Sequence, residues 1–583
     1  MFVTAILFVY LSLVSLVFGV GVRRVFGLDG TVPAAALLAT GMAVVSAAAG
    51  LASLAIPLNG FAHLALLAAT IGVAVWLRVP VVAELRGFAQ TWRSLPTWLE
   101  IGGVVATVVL LEHTADVTHS YDTGLYHAQS IRWMEEWGAV PGLGNLRVYF
   151  AQFQGWFVTS ALFSLRALGL GPLHGLTGWL GWIFMLSALP RIARFVTGER
   201  TASTFLWGWL GTGRLLRFIS LSAPATDMPA ALLVWLTYLV ALEALESEAK
   251  PPSRAWDTDI AVIAILSGFA LSVKLAALPV LAVSALLIAM RRASLWKSGL
   301  ATFALVLPFV LISVIQSGYP LYPSTALPLP VDWRVPADEV REGVREVKNW
   351  AWYPWKDASV APRMEAILAR DVPAWLPVRV LVWWAGFPTS EKRILVMFLV
   401  CLPLAGVVAF RRRRATDFLL MTTVPGVVFW FAEAPNYRYS WVFLPLAASA
   451  CLWLVVDRPV QHLKASICAI GWCGLVAVNV AWAVRGMSKQ AVVHHFILPE
   501  RYPVVSAEAH RFNNLEVNIP RGAEECWDTP LPCANGLTVR LLRRGPSLGT
   551  GFTVAAPTSP CHMPCGRSSL RTMRYYSRRT NNK

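Results

Sequence analysis

Long apolar runs, each closed by a short charged connector, recur along most of the chain. A membrane-spanning helix needs about 20 mostly apolar residues, within a range of roughly 17–25. On that measure the pattern predicts spans at 2–22, 32–55, 61–77, 96–111, 173–190, 203–221, 228–245, 258–273, 275–290, 298–316, 394–410, 416–432, 439–456 and 466–484. That is about fourteen, with a tolerance of about two because 96–111, 258–273 and 275–290 are short for a bilayer. The run 2–22 lacks a basic leader and a small-residue cleavage site, so it reads as a retained helix rather than a signal peptide.

Composition sharpens the class. Of the 583 residues 56% are hydrophobic and 14% charged. Soluble domains carry about 25% charged residues, and disordered chains have the opposite bias. The expected fold is therefore an all-α polytopic membrane protein. The net charge of +17 would suggest nucleic acid in a soluble protein. Here much of it lies in connectors: Arg23–Arg24, Arg86/Arg93, Arg191/Arg194/Arg200, Lys250/Arg254, Arg291–Arg292, Arg411–Arg414 and Arg458/Lys464. The threading puts all of these on one side, as basic cytoplasmic loops require. No nucleic-acid partner is expected. Both termini then lie outside the cytoplasm, together with three long segments, 112–171, 317–392 and 486–583. No GxGxxG, P-loop or repeat of 20–50 residues is present, so no ATP or dinucleotide site is visible.

The exterior segments hold the unusual chemistry. The first carries Asp116, Asp122, Gly124 and His127 directly after a span. Gly124 suggests a turn that aims Asp122 back at the membrane, where Asp122 and His127 are a base or the ligands of a divalent metal ion. Five residues apart, they match no metal-binding signature; a solvated cap is the competing reading. Asp227 with Pro229 fits a helix start, as an N-cap or as a second acid of a site. Arg214 and Arg217 within the run 203–221 either snorkel or hold a lipid phosphate. Lys274 is an interfacial lysine or adds positive charge to the same outer pocket. Arg438 lies on the side that avoids positive charge, so it pairs with Glu433 or binds a phosphate. Tyr319, Tyr322 and Trp333 open an aromatic segment that continues through Trp350, Trp352, Tyr353, Trp355, Trp375, Trp383 and Trp384. Such rings anchor at the interface or stack on sugar faces and lipid tails. Cys526 and Cys533 flank a short Pro-rich loop outside the cytoplasm and read as a disulfide. Cys561 and Cys565 form a second candidate pair, in a basic, Ser-rich stretch, 555–583, that reads as poorly ordered.

A span at 96–111, a long acidic exterior loop, three further spans with Asp227 in the next exterior turn, then three more spans and a large exterior segment resemble the GT-C class of glycosyltransferases. The strings SYDTGLYH, PGLGN, SGYPLYPS, APNYRY and ECWDTPLPC also resemble a group of bacterial multi-pass proteins over roughly residues 100–550. The resemblance implies extra helices at 1–95, a module at 96–316 with its loop 112–171, an interfacial segment at 317–393, further helices at 394–484 and a periplasmic tail at 485–554. It implies a polyprenyl-phosphate sugar as donor, with Asp122 or Asp116 in the first-loop acidic role and Asp227 in the second. Arg214, Arg217, Lys274 or Arg438 would then hold the phosphate, in a bacterial inner membrane and among membrane lipids. The rival readings are a transporter or flippase, and a polymerase or ligase, of lipid-linked saccharides.

Overall fold

The computed structural model describes residues 1–28, 30–118, 120–152, 155–169, 171–214, 219–247, 258–291, 295–352, 380, 383–485, 495–535 and 540–555. The chain is mostly helical. In order it forms α1 (Phe2–Phe26), α2 (Ala34–Ser53), α3 (Gly60–Trp76), α4 (Arg78–Arg93), α5 (Thr97–Ala115), α6 (Ala128–Glu136), α7 (Gly155–Leu162), α8 (Leu176–Thr197), α9 (Ala202–Gly208) and α10 (Asp227–Glu246). There follow α11 (Thr258–Val273), α12 (Leu281–Arg291), α13 (Leu295–Ser317), α14 (Ala337–Ala351), α15 (Thr389–Arg412), α16 (Ala415–Met421), α17 (Thr423–Glu433), α18 (Leu444–Gln461) and α19 (Ala465–Arg485).

Among the described residues nine helical segments are long and apolar enough to cross a membrane, or ten if α3 and α4, bent by 89°, count as one span. The expected fourteen differ from this in specific places. The runs 258–273 and 275–290 are shorter helices, the second opening with a 3-10 turn over Leu275–Val280. The run 203–221 is not one helix: α9 stops at Gly208, and a π-helical turn over Trp209–Arg214 and a 3-10 turn over Ile219–Ser222 follow. Gly208, Gly211 and Gly213 crowd this stretch, and each costs a helix about 1 kcal/mol relative to Ala. A methyl group at Gly208 would fall 2.5 Å from Trp472, so close packing keeps the position small. The run 439–456 becomes a 3-10 turn over Tyr439–Val442 and then α18, which starts just ahead of Pro445, where proline suits a helix.

Helix α10 is apolar on every side and sits at the centre of the bundle. Helices α1 and α2 meet backbone to backbone: a Cβ at Gly41 would lie 1.8 Å from the Ser15 carbonyl. Small residues permit this approach where apolar helices pack without a gain from water release.

The connectors separate into two groups. At one end Phe2 N–H donates to the Phe496 carbonyl (2.9 Å), Glu500 N–H to Ala115 (2.8 Å), Leu58 N–H to Met134 (2.8 Å) and Gly142 N–H to Ile315 (2.8 Å). At the other, Arg23 pairs with Glu84, Arg191 with Glu243, Arg412 with Asp457, and Arg200 donates to the carbonyls of Val460 and Gln461. The second group holds the basic connectors and is called the basic end below. The first holds the long loops and is the loop end.

At the loop end the tail folds onto the first loop. Strands β1 (Ala507–Phe512) and β2 (Leu515–Pro520) pair antiparallel, Ala507 opposite Pro520, and β3 (Leu541–Arg543) pairs with β4 (Phe552–Val554). Trp133, Leu143 and Phe150 of the loop share one apolar core with Val517, Leu541 and Phe552 of the tail. Cys526 and Cys533 are joined as a disulfide, Cα atoms 5.9 Å apart. Cys561, Cys565, Tyr353, Trp355 and Trp375 lie outside the described residues.

Candidate functional site

Four separate stretches deliver one charge each to the loop end. Asp122 precedes the π-helical turn Thr123–His127, a wide turn found often at functional sites. Asp227 stands in the first turn of α10, where the exposed N–H groups favour a carboxylate. Thr226 takes the N-cap position, so capping is not the role of Asp227. Lys274 follows the last residue of α11, and Arg438 lies between α17 and α18.

These four pair off. Arg438 Nη2 donates to Asp122 Oδ2 at 2.8 Å, and Lys274 Nζ donates to Asp227 Oδ1. The ring of Tyr439 joins the pairs, its centroid 4.1 Å from Lys274 Nζ and 6.0 Å from Arg438 Cζ. Trp350, from α14, covers Arg438 with its ring centroid at 5.1 Å. His127 is buried, shares a hydrogen bond between Nδ1 and Thr123 Oγ1 (3.1 Å) and lies edge-on to Tyr126 at 4.4 Å. Burial lowers the His127 pKa to about 4, against the pull of Asp122 and Asp227, so the imidazole is neutral at pH 7. Burial also works against the Arg438 charge, but Asp122 and Asp227 outweigh it and push its pKa up.

Hydrogen bonding separates Arg438 from the other partly buried arginines of the ion pairs. Arg166 engages all three of its nitrogens: Nε on Glu135 (2.6 Å), Nη1 and Nη2 on Asp528 (2.9 and 2.7 Å). Arg191 uses Nε and Nη2 on Glu243 and Nη1 on the Ser187 carbonyl. Arg412 holds Asp457 with two nitrogens. Among the described residues Arg438 makes a single side-chain hydrogen bond out of five available N–H donors. A bidentate fork is the strong geometry for a guanidinium and an oxyanion, and here it is not made.

Other expected residues lie elsewhere. Asp116 caps α5 and accepts from the Val117 N–H at 2.8 Å; among the described residues no contact ties it to the cluster. Glu433, the alternative partner of Arg438, pairs with Lys348 at 3.0 Å instead. Tyr319 and Tyr322 are buried, and their hydroxyls donate to the carbonyls of Val335 (2.9 Å) and Val148 (2.8 Å). The indole N–H of Trp333 donates to Val314 (3.3 Å), and Arg544 lies over its ring at 4.8 Å. These three therefore tie the aromatic segment to its neighbours through their polar tips. The Arg214 side chain and all of Arg217 lie outside the described residues. A divalent cation does not fit: among the described residues no group of three or more His, Cys, Asp and Glu side chains is placed to hold one. Arg438 and Lys274 already neutralise the two carboxylates and would repel it. Tyr126, Tyr439 and the covering role of Trp350 were not singled out from the sequence. The signal available was aromatic residues flanking the chemistry, as in Tyr437-Arg438-Tyr439.

A family model matches residues 1–445, well over half of the chain. The chain belongs to the DUF8201 family, described as a domain of unknown function. No curated protein matches the chain. In this DUF8201 protein all four charges lie inside the matched span, whereas the tail that packs on the first loop lies beyond it.

Proposed function

We propose that this protein is a membrane glycosyltransferase of the GT-C kind, which moves a sugar from a polyprenyl-phosphate donor to an acceptor hydroxyl. It would sit among the lipids of a bacterial inner membrane, with the loop end, and so both Met1 and the tail, facing the periplasm. The observation that carries the reading is the pair of acid–cation contacts, Asp122–Arg438 and Asp227–Lys274, drawn together by Tyr439 where apolar helices emerge. Transfer from a lipid phosphate needs two things of a protein, a carboxylate to take the acceptor's proton and cations to hold the departing phosphate. The acceptor oxygen forms a bond to the anomeric carbon. The carbon–oxygen bond to phosphate breaks, and its electron pair stays on the phosphate oxygen beside Arg438 and Lys274. The proton passes to Asp122. His127, neutral and buried, shapes the turn that presents Asp122.

The test is single-turnover transfer in detergent from an undecaprenyl-phosphate sugar to saccharide acceptors. Asp122→Asn keeps the shape but cannot accept a proton, and slows transfer by ~10²–10⁴-fold. Full activity in Asp122→Asn and in Asp227→Asn removes the reading. Saccharide flipping in liposomes without transfer replaces it with transport.

A further inference from the structure

The following rests on the reading above, that the site takes a lipid-borne phosphate. We infer that Asp122 acts as a placeholder on Arg438, that the ligand's phosphate displaces it, and that ligand binding thereby uncovers the base.

The cluster holds two carboxylates and two cations, so it is neutral as it stands. A phosphate added to four intact partners would bring uncompensated negative charge into a partly buried site, which is costly. Giving up the Asp122–Arg438 contact lets the phosphate take that cation's attraction, which offsets part of the cost. The two pairs differ in how readily this can happen. Asp227 is fixed at the start of the central helix α10, and Lys274 is held between it and the Tyr439 ring. Asp122 lies at the start of a π-helical turn in a loop and touches Arg438 through one oxygen. Arg438, for its part, is positioned by Trp350 and Tyr439 while most of its N–H donors have no protein acceptor among the described residues. A guanidinium fixed in place, under-coordinated and only one-fifth exposed is suited to a forked contact with a phosphate. Arg166 and Arg191, each bonded through all three nitrogens, show how this protein builds pairs that are structural.

The exchange has a mechanistic consequence. While Asp122 is bound to Arg438, its Oδ2 is occupied by the guanidinium N–H. Once phosphate occupies Arg438, the released carboxylate lies beside the same ligand, next to the cation it has left. The proton of the acceptor hydroxyl then goes to Asp122 and the leaving electron pair to the phosphate oxygen on Arg438. The base is unmasked when there is a sugar to transfer.

The experiment is equilibrium binding of polyprenyl phosphate, and separately of inorganic phosphate, to the purified full-length protein in detergent. Asp122→Asn removes the competing charge and should tighten binding by at least about tenfold. Asp122→Glu keeps that charge and should not tighten it. Arg438→Gln should lose at least tenfold. The same rank order with inorganic phosphate assigns the recognition to the phosphate alone; the order with the lipid only assigns it to the lipid headgroup with its tail. In the wild type, polyprenyl phosphate should raise amide exchange over residues 120–127 as Asp122 is released. This second measurement needs no variant to fold. Unchanged or weaker binding in a folded Asp122→Asn, or no rise in exchange on saturation of the wild type, overturns the proposal, as does failure of the wild type to bind either probe. Tightening without sugar transfer would leave the exchange standing and remove the glycosyltransferase reading. Transfer without tightening would do the reverse.

Discussion

The backbone N–H of Trp527 donates to the carbonyl of Gly124 at 2.9 Å, and the Trp527 ring closes over the space where a side chain at residue 124 would be. The disulfide-closed loop of the tail is thus seated two residues from Asp122. Gln129, fully buried, extends the seat by donating to the carbonyls of Trp527 (3.0 Å) and Thr529 (2.8 Å). A tail separated from the first loop by nearly 400 residues therefore takes part in shaping the turn that carries the acid.

Gly124→Ala tests that contact directly. A Cβ there would lie 2.6 Å from the Trp527 ring and 2.7 Å from Glu525 Cβ, both closer than real Cβ contacts. Overpacking of this kind costs about 1–3 kcal/mol. The expected result is a lower melting temperature and faster amide exchange in both 120–129 and 524–530. Exchange that rises in only one of the two segments would mean that they are not held together.

Arg166 links the same two segments through Glu135 and Asp528. Arg166→Ala leaves Glu135, 4% exposed at its side chain, without its cation. Removing one partner of a buried pair costs about 3–5 kcal/mol, and the partial exposure of Arg166 and Asp528 screens this to roughly 2–3 kcal/mol. Arg194→Ala, at a pair nearly half exposed on the basic end, should cost at most about 1 kcal/mol. Equal losses in chemical denaturation would remove the distinction.

Two histidines give the loop end a pH dependence. Burial lowers His127 to about 4 and His174 to about 3, both below the value of 6.5 for the free side chain. As pH falls below 6.5 the unfolded state takes up protons that the folded state refuses, so stability falls with pH. For His127 the loss runs from about 6.5 down to about 4 and then levels off; it amounts to on the order of 3 kcal/mol. Above 6.5 neither residue contributes a slope. Amide protection factors over 123–129, in which the intrinsic pH dependence of exchange is removed, should therefore fall between pH 7 and pH 5, and His127→Gln should flatten that response. An unchanged slope in His127→Gln would assign it to other groups.

The four charges of the cluster were legible in the sequence because each breaks a local rule. On the expected threading Arg438 is basic on the side that avoids basic residues, Lys274 interrupts an apolar run, and Asp122 and Asp227 stand near the ends of apolar runs. Their pairing was not legible. Asp122 and Arg438 are 316 residues apart, and only the packing of the intervening helices brings them together. The packing of Tyr319, Tyr322 and Trp333 was not legible either. Aromatic residues near an interface have the same composition whether they pack inward or stand open, and only the carbonyls of Val335, Val148 and Val314 decide it. The break within 203–221 was hidden because hydropathy does not register the conformational freedom of Gly208, Gly211 and Gly213.

The two groups of connectors lead to a test of orientation. If the basic end faces the cytoplasm, as its arginines favour, the loop end with Met1, Asp122 and the tail faces outward. Val504 is 99% exposed at the loop end, and Leu463 is 40% exposed in the connector between α18 and α19 at the basic end. With the exposed Cys473 replaced by Ser to remove background labelling, Val504→Cys should react with a membrane-impermeant maleimide on cells whose outer barrier alone has been opened. Leu463→Cys should react only after the inner membrane is permeabilised. The three remaining cysteines of the apolar helices, Cys401, Cys451 and Cys468, give the control for nonspecific reaction. The reverse labelling order would turn the cluster toward the cytoplasm, where a lipid-linked donor would meet it from the other leaflet. Labelling of both positions on the same side would contradict the separation of the connectors itself, because the hydrogen bonds from Phe2 to Phe496 and from Arg200 to Gln461 fix them at opposite ends of the helices.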